Sequence, residues 1–92
     1  MLSGGVGKMV QEIQHRVLTV MSEMLHVREI EISVEASLRD DLQMDSLKMM
    51  TLMILLEDEF QQTIPPEEVT GLQTVNDVVG FIEKKISETP PP

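Results

Sequence analysis

The sequence contains no cysteine. Disulfides, thiolate metal sites and a thiol nucleophile of the chain's own are excluded by count, so any thiol chemistry has to arrive on a cofactor. Basic residues are scarce: seven Lys and Arg stand against sixteen Asp and Glu, a formal net charge of −9. Such a surface repels nucleic-acid phosphates and anionic membranes, which leaves proteins with basic patches as the expected partners. The first residues, Met1 to Lys8, are small and glycine-rich, without the apolar segment of a signal peptide or membrane span, and the expected location is cytoplasmic.

Catalytic machinery is equally absent. There is no nucleophile and base pair, and His15 has no second ligand at metal-ligand spacing, so it reads as a surface residue. Gly4-Gly5-Val6-Gly7-Lys8 is not a phosphate cradle, because no strand precedes it and Met9 stands where Ser or Thr is required. No Asp-x-Asp-x-Asp-Gly loop surrounds Asp40 and Asp41, which excludes a calcium module of that type. The expectation is a protein that is not an enzyme and holds no metal.

What is present fits one small domain. Ninety-two residues, 41% of them apolar, can fold around a single modest core but bury only part of their surface. From Glu29 to Glu68 eleven acidic residues face two basic ones, Arg39 and Lys48, so this stretch carries the entire excess charge. Any one of those acids reads as solvated surface; their clustering could steer a positively charged partner.

Taken in order, residues 1–8 read as a flexible lead-in, 9–86 as the domain and 87–92 as a disordered, proline-rich tail. Val6, Met9, Val10, Ile13, Val17, Val20, Met21 and Met24 recur at helical spacing and predict an amphipathic helix from about Val6 or Lys8 to Leu25. From His26 to Met44 the pattern is irregular. Ile30, Ile32 and Val34 alternate like a strand, but no partner strand is available, so the segment is read as a long loop pinned chiefly by Leu38 and Leu42. A loop of that length usually carries function. After Phe60, Ile64-Pro65-Pro66 stops helical structure, and Pro66-Glu67-Glu68-Val69 starts a short helix with Gly71 as its stop. Thr74, with Asp77 three residues on, predicts a capping box at the head of a last helix that buries Val75, Val78, Val79, Ile82 and Ile86. The predicted fold is all-α: a small four-helix bundle of three main helices and one short one, with a long first loop.

The stretch that organises the chain is Asp40-Asp41-Leu42-Gln43-Met44-Asp45-Ser46-Leu47. Asp45 is the predicted N-cap of a helix running to about Phe60, which puts Ser46 at the first helical position with its Oγ facing solvent. A phosphate ester there would meet the free N–H groups and the positive end of the helix dipole. Along this helix Met49, Leu52, Met53, Leu56 and Phe60 form one stripe, and Leu47, Met50 and Ile54 a second ridge beside Ser46. Four of the eight methionines fall between Met44 and Met53. Core packing is the plainer reading for any one of them, but together their flexible thioethers suit contacts with varied ligands or partners.

Asp41 to Leu47, with Leu56-Glu57-Asp58-Glu59-Phe60 and Ile64-Pro65-Pro66-Glu67-Glu68 behind it, resembles the acyl carrier proteins over about Val10 to Ile86. The resemblance implies that Ser46 carries 4′-phosphopantetheine, flanked by Asp45 and Leu47, after modification by a phosphopantetheinyl transferase. It implies a monomer that delivers thioester-bound acyl groups to acyl-transferring, ketosynthase-type or tailoring enzymes with basic docking patches. Leu47, Lys48, Met50, Thr51, Ile54, Glu57 and Asp58 are the implied contact residues. Met44-Asp45-Ser46-Leu47 looks more like polyketide carriers, and the Gly-Gly-His-Ser pattern of peptidyl carriers is missing. The implied pathway is polyketide or specialised fatty-acid biosynthesis. Gln43 stands where the family usually has glycine, and Lys48 and Thr51 where fatty-acid carriers are often acidic. The alternative from another class is an unmodified, carrier-like subunit that only docks partners through its acidic, Met-rich second helix.

Overall fold

A computed structural model describes residues 4–88, with side chains from residue 11 onward. It contains three α-helices: α1 at Gly4–Leu25, α2 at Ser46–Phe60 and α3 at Val75–Glu88. Helix α1 takes in residues 4–8, which the sequence pattern assigned to a lead-in. The side chains of Val6, Met9 and Val10, and residues 89–92 of the expected tail, lie outside the described residues. The expected short third helix is a single 3-10 turn, Pro66–Glu68, started by prolines that fix φ and lack an N–H.

Among the described residues sixteen apolar side chains form one buried cluster, with Val17, Met21, Leu52, Leu56, Val75, Val78 and Ile82 at its centre. Helix α1 contributes Ile13, Val17, Val20 and Met21 and makes the principal contacts with both α2 and α3. Helix α2 buries Leu52, Met53, Leu56 and Phe60, one stripe of the two anticipated, and α3 buries Val75, Val78, Val79 and Ile82. Ile86 packs against the cluster and is only partly buried. Among the described residues no buried polar side-chain atom lacks a partner.

Helices α1 and α2 both end without glycine. His26 and Gln61 take left-handed backbone with φ of 59° and 54°, and the following N–H groups close six-residue turns, Val27 onto Ser22 and Gln62 onto Glu57. Arg16 ties α1 to the far end of α2. Its guanidinium donates to the Glu59 carboxylate at 2.8 Å and the Glu59 carbonyl at 2.7 Å, and lies 4.5 Å from the centre of the Phe60 ring. Glu68 of the 3-10 turn pairs with Lys85 of α3 at 2.8 Å.

The segment 26–44 is more ordered than an unpaired loop. It holds a 3-10 turn at Glu29–Glu31, and Ser37 forms an isolated antiparallel bridge with Thr74. Leu38 N–H bonds the Gln73 carbonyl at 2.8 Å, Val75 N–H the Ala36 carbonyl at 3.1 Å and Asn76 N–H the Val34 carbonyl at 2.8 Å. The backbone groups that a lone strand would have left unsatisfied are paired with the turn before α3. Leu38 is one deep anchor, as anticipated. Ile32 and Met44 are the others, whereas Leu42 is half-buried.

Candidate functional site

Helix α2 begins where the sequence places it because Asp45 caps it: backbone in the extended region, with the carboxylate accepting from Lys48 N–H at 2.9 Å. Met44 before the cap and Met49 in the first turn occupy the positions of a hydrophobic staple; Met44 belongs to the core cluster and Met49, partly buried, packs against it. That staple is the signal for Met44 that spacing arguments confined to the helix passed over. Gln43 reaches the cap through left-handed backbone, φ 54°, in the role for which glycine is the easier residue.

The loop leading to the cap is held by its own side chains. Asp41 accepts from Ser37 N–H at 2.7 Å, Ser37 Oγ accepts from Asp40 N–H at 3.1 Å, and Met44 N–H bonds the Leu38 carbonyl at 2.9 Å. Asp41 is therefore an internal brace as well as a surface charge.

Ser46 is exposed at the first position of α2, and its hydroxyl has no hydrogen-bond partner among the described residues. It borders a groove of about 1240 Å³ enclosed by the loop before α2, by α2 itself and by the segment 64–73. Met49, Met53, Ile64, Val69 and Leu72 give that groove an apolar lining.

The residues expected to meet partners separate by environment. Leu47, Met50 and Ile54 are 71%, 61% and 61% exposed, an apolar ridge of which Met50 and Ile54 also border the groove and Leu47 does not. Lys48 and Asp58 are exposed. Thr51 is half-buried, its hydroxyl donating to the Leu47 carbonyl at 3.0 Å. Glu57 is also half-buried, and its carboxylate accepts from Ile64 N–H at 2.7 Å, so it fastens the connection after α2. Glu29, Glu59 and Glu68 are likewise engaged, with His15, Arg16 and Lys85. His15 is a surface residue, as expected. Among the described residues there is no cluster of His, Cys, Asp and Glu fit for a metal, and no helix long and apolar enough to cross a membrane.

Fold and site together define a small helical module with an exposed, unbonded serine at the head of an apolar-ridged helix. Residues 15–82 match the family model described as a phosphopantetheine attachment site. The chain is 38% identical over 80 residues to the meromycolate extension acyl carrier protein of Mycolicibacterium aurum, covering 87% of this chain and 82% of that one. It is 40% identical over 74 residues to the acyl carrier protein of Borrelia garinii subsp. bavariensis, covering 80% of this chain and 92% of that one. The chain belongs to the acyl carrier protein family. Its prosthetic group is 4′-phosphopantetheine, and it is a carrier of acyl groups, not an enzyme. Its partners comprise a phosphopantetheinyl transferase and enzymes of acyl biosynthesis.

Proposed function

We propose that Ser46 is the attachment residue and that the chain carries long, largely aliphatic acyl groups in a specialised fatty-acid extension pathway. The observation that carries this reading is the position of Ser46: an exposed, unbonded hydroxyl at the N-terminus of α2 beside an apolar groove of about 1240 Å³. A phosphodiester on that oxygen suits the site, because the first-turn N–H groups and the helix dipole favour an anion there. The prosthetic group supplies the thiol that this cysteine-free chain lacks and holds the acyl group as a thioester. The chain's own residues fix the attachment point through Asp45 and offer apolar surface through Met49, Met53, Ile64 and Leu72.

Related chains named for meromycolate extension favour long acyl groups over a polyketide cargo. Leu47, Met50 and Ile54 are the contact ridge for partner enzymes, with Asp58 and Lys48 as the free charges on that helix. The reading takes the chain as a monomer that acts in the cytoplasm.

The test is intact mass before and after incubation with coenzyme A and a broad-specificity phosphopantetheinyl transferase. One phosphopantetheine is gained by the wild type and none by Ser46→Ala, whose circular dichroism matches the wild type. A folded wild type that gains no mass would instead indicate the unmodified docking subunit.

A further inference from the structure

We propose that Arg39 is the counter-ion of the phosphodiester on Ser46, and that their pairing turns the prosthetic arm along the groove instead of away from α2. This rests on Ser46 being the attachment residue. Arg39 and Ser46 border the same groove, where among the described residues Arg39 is the only lining cation, beside the acids Asp40, Asp45 and Glu57. Modification of Ser46 adds another negative charge to this acidic mouth, close to the Asp45 carboxylate, and a cation is needed to offset it. Among the described residues Arg39 makes no ion pair or hydrogen bond through its side chain. It is a charge without a partner among the described residues, on the same groove as the oxygen where an anion is to be made.

The loop holds Arg39 in position for this. Residue 39 sits within a turn fixed on one side by the Ser37 contacts with Asp40 and Asp41, and on the other by Leu38 N–H on the Gln73 carbonyl and Met44 N–H on the Leu38 carbonyl. A guanidinium carried by such a turn can offer two parallel N–H donors to a pair of phosphate oxygens. Lys48, the other cation of the acidic stretch, cannot substitute from within the groove. It lies two residues beyond Ser46, about 200° around the helix at 3.6 residues per turn, and does not border the groove.

The experiment is ³¹P NMR of the loaded protein, wild type against Arg39→Gln and Arg39→Lys, with Lys84→Gln removing the same charge from the far end of α3. The phosphodiester resonance shifts in Arg39→Gln, shifts less in Arg39→Lys and stays in place in Lys84→Gln. Added sodium chloride moves the wild-type resonance toward the Arg39→Gln position. An identical resonance in wild type and Arg39→Gln, with mass spectrometry showing both loaded, overturns the proposal alone. Absence of loading in the wild type overturns the attachment reading and the proposal with it. Repeating the comparison with acetyl and malonyl loads separates the two anions available: equal shifts uphold the phosphodiester, and a shift confined to the malonyl load assigns Arg39 to the acyl carboxylate and overturns the proposal.

Discussion

Gln43 illustrates how one residue sets the geometry of the site. The chain must turn through left-handed backbone just before the Asp45 cap, and it does so with a side chain whose Cβ disfavours that region. Gln43→Gly relieves the strain but also frees the unfolded chain, so the expected net gain is about 0.5 kcal/mol. Urea denaturation should show that gain, while phosphopantetheine loading proceeds as in the wild type because neither the cap nor Ser46 is touched. The missing glycine was legible in the sequence, and so was the demand it leaves behind. The role of Asp41 was not: an aspartate in an acidic run looks like its neighbours until the Ser37 N–H that it binds is brought within 2.7 Å. Glu57 was hidden for the same reason, since its partner, the N–H of Ile64, lies seven residues on beyond the end of the helix.

The elements themselves were largely written in local pattern. Asp45 before an apolar series announced α2, and Thr74 with Asp77 announced α3. Its box closes as predicted, with Asp77 N–H donating to Thr74 Oγ1 at 3.1 Å and the Asp77 carboxylate accepting from Thr74 N–H at 3.1 Å and Gln73 N–H at 3.0 Å. What spacing could not reveal was that this cap also serves the long loop, because the pairing of residues 34–38 with 73–76 joins residues 35 to 42 positions apart, beyond the reach of a periodicity argument. The hydrogen bonds from Gln73 and Thr74 hold the Asp77 carboxyl below its ordinary value of 3.8. A lowered folded-state pKa contributes stability that is present above the ordinary value and lost as pH falls through the lowered one. Asp77→Asn is therefore expected to melt below the wild type at pH 7 and to approach it as the pH falls below the ordinary carboxylate range. Thermal melts of the two proteins across that range check the sign.

For the whole molecule, the charge clustering seen in the sequence divides in two once the fold is known. Glu29, Glu31, Asp41, Asp45, Glu57, Glu59 and Glu68 are bonded internally, whereas Glu35, Asp40, Asp58 and Glu67 are exposed with no side-chain partner among the described residues. The field that a partner senses is nonetheless that of the net charge, −9. Association with a basic transferase should therefore slow as salt is added and the screening length contracts to about 8 Å at 0.15 M. Loading rates measured over a range of sodium chloride should fall through a rise in KM with little change in kcat. A flat response would leave the Leu47, Met50 and Ile54 ridge as the whole of the contact. No composition argument could assign each acid to one group or the other, since the assignment depends on which backbone donors the fold delivers to it.

The grip of Arg16 on the last turn of α2 gives that helix a second anchored end, opposite the Asp45 cap and the buried Met44. The clamp acts on Glu59 and Phe60, while the opposite end presents Ser46, Leu47, Lys48 and Met50 to solvent. Helix ends ordinarily fray, so amide hydrogens of the final turn should exchange early. Here the clamp is expected to slow that exchange, and Arg16→Gln should speed it at a cost of about 1 kcal/mol in global stability. A helix pinned at both ends moves as one piece, so Ser46 and the ridge of Leu47, Met50 and Ile54 keep a fixed spacing to one another.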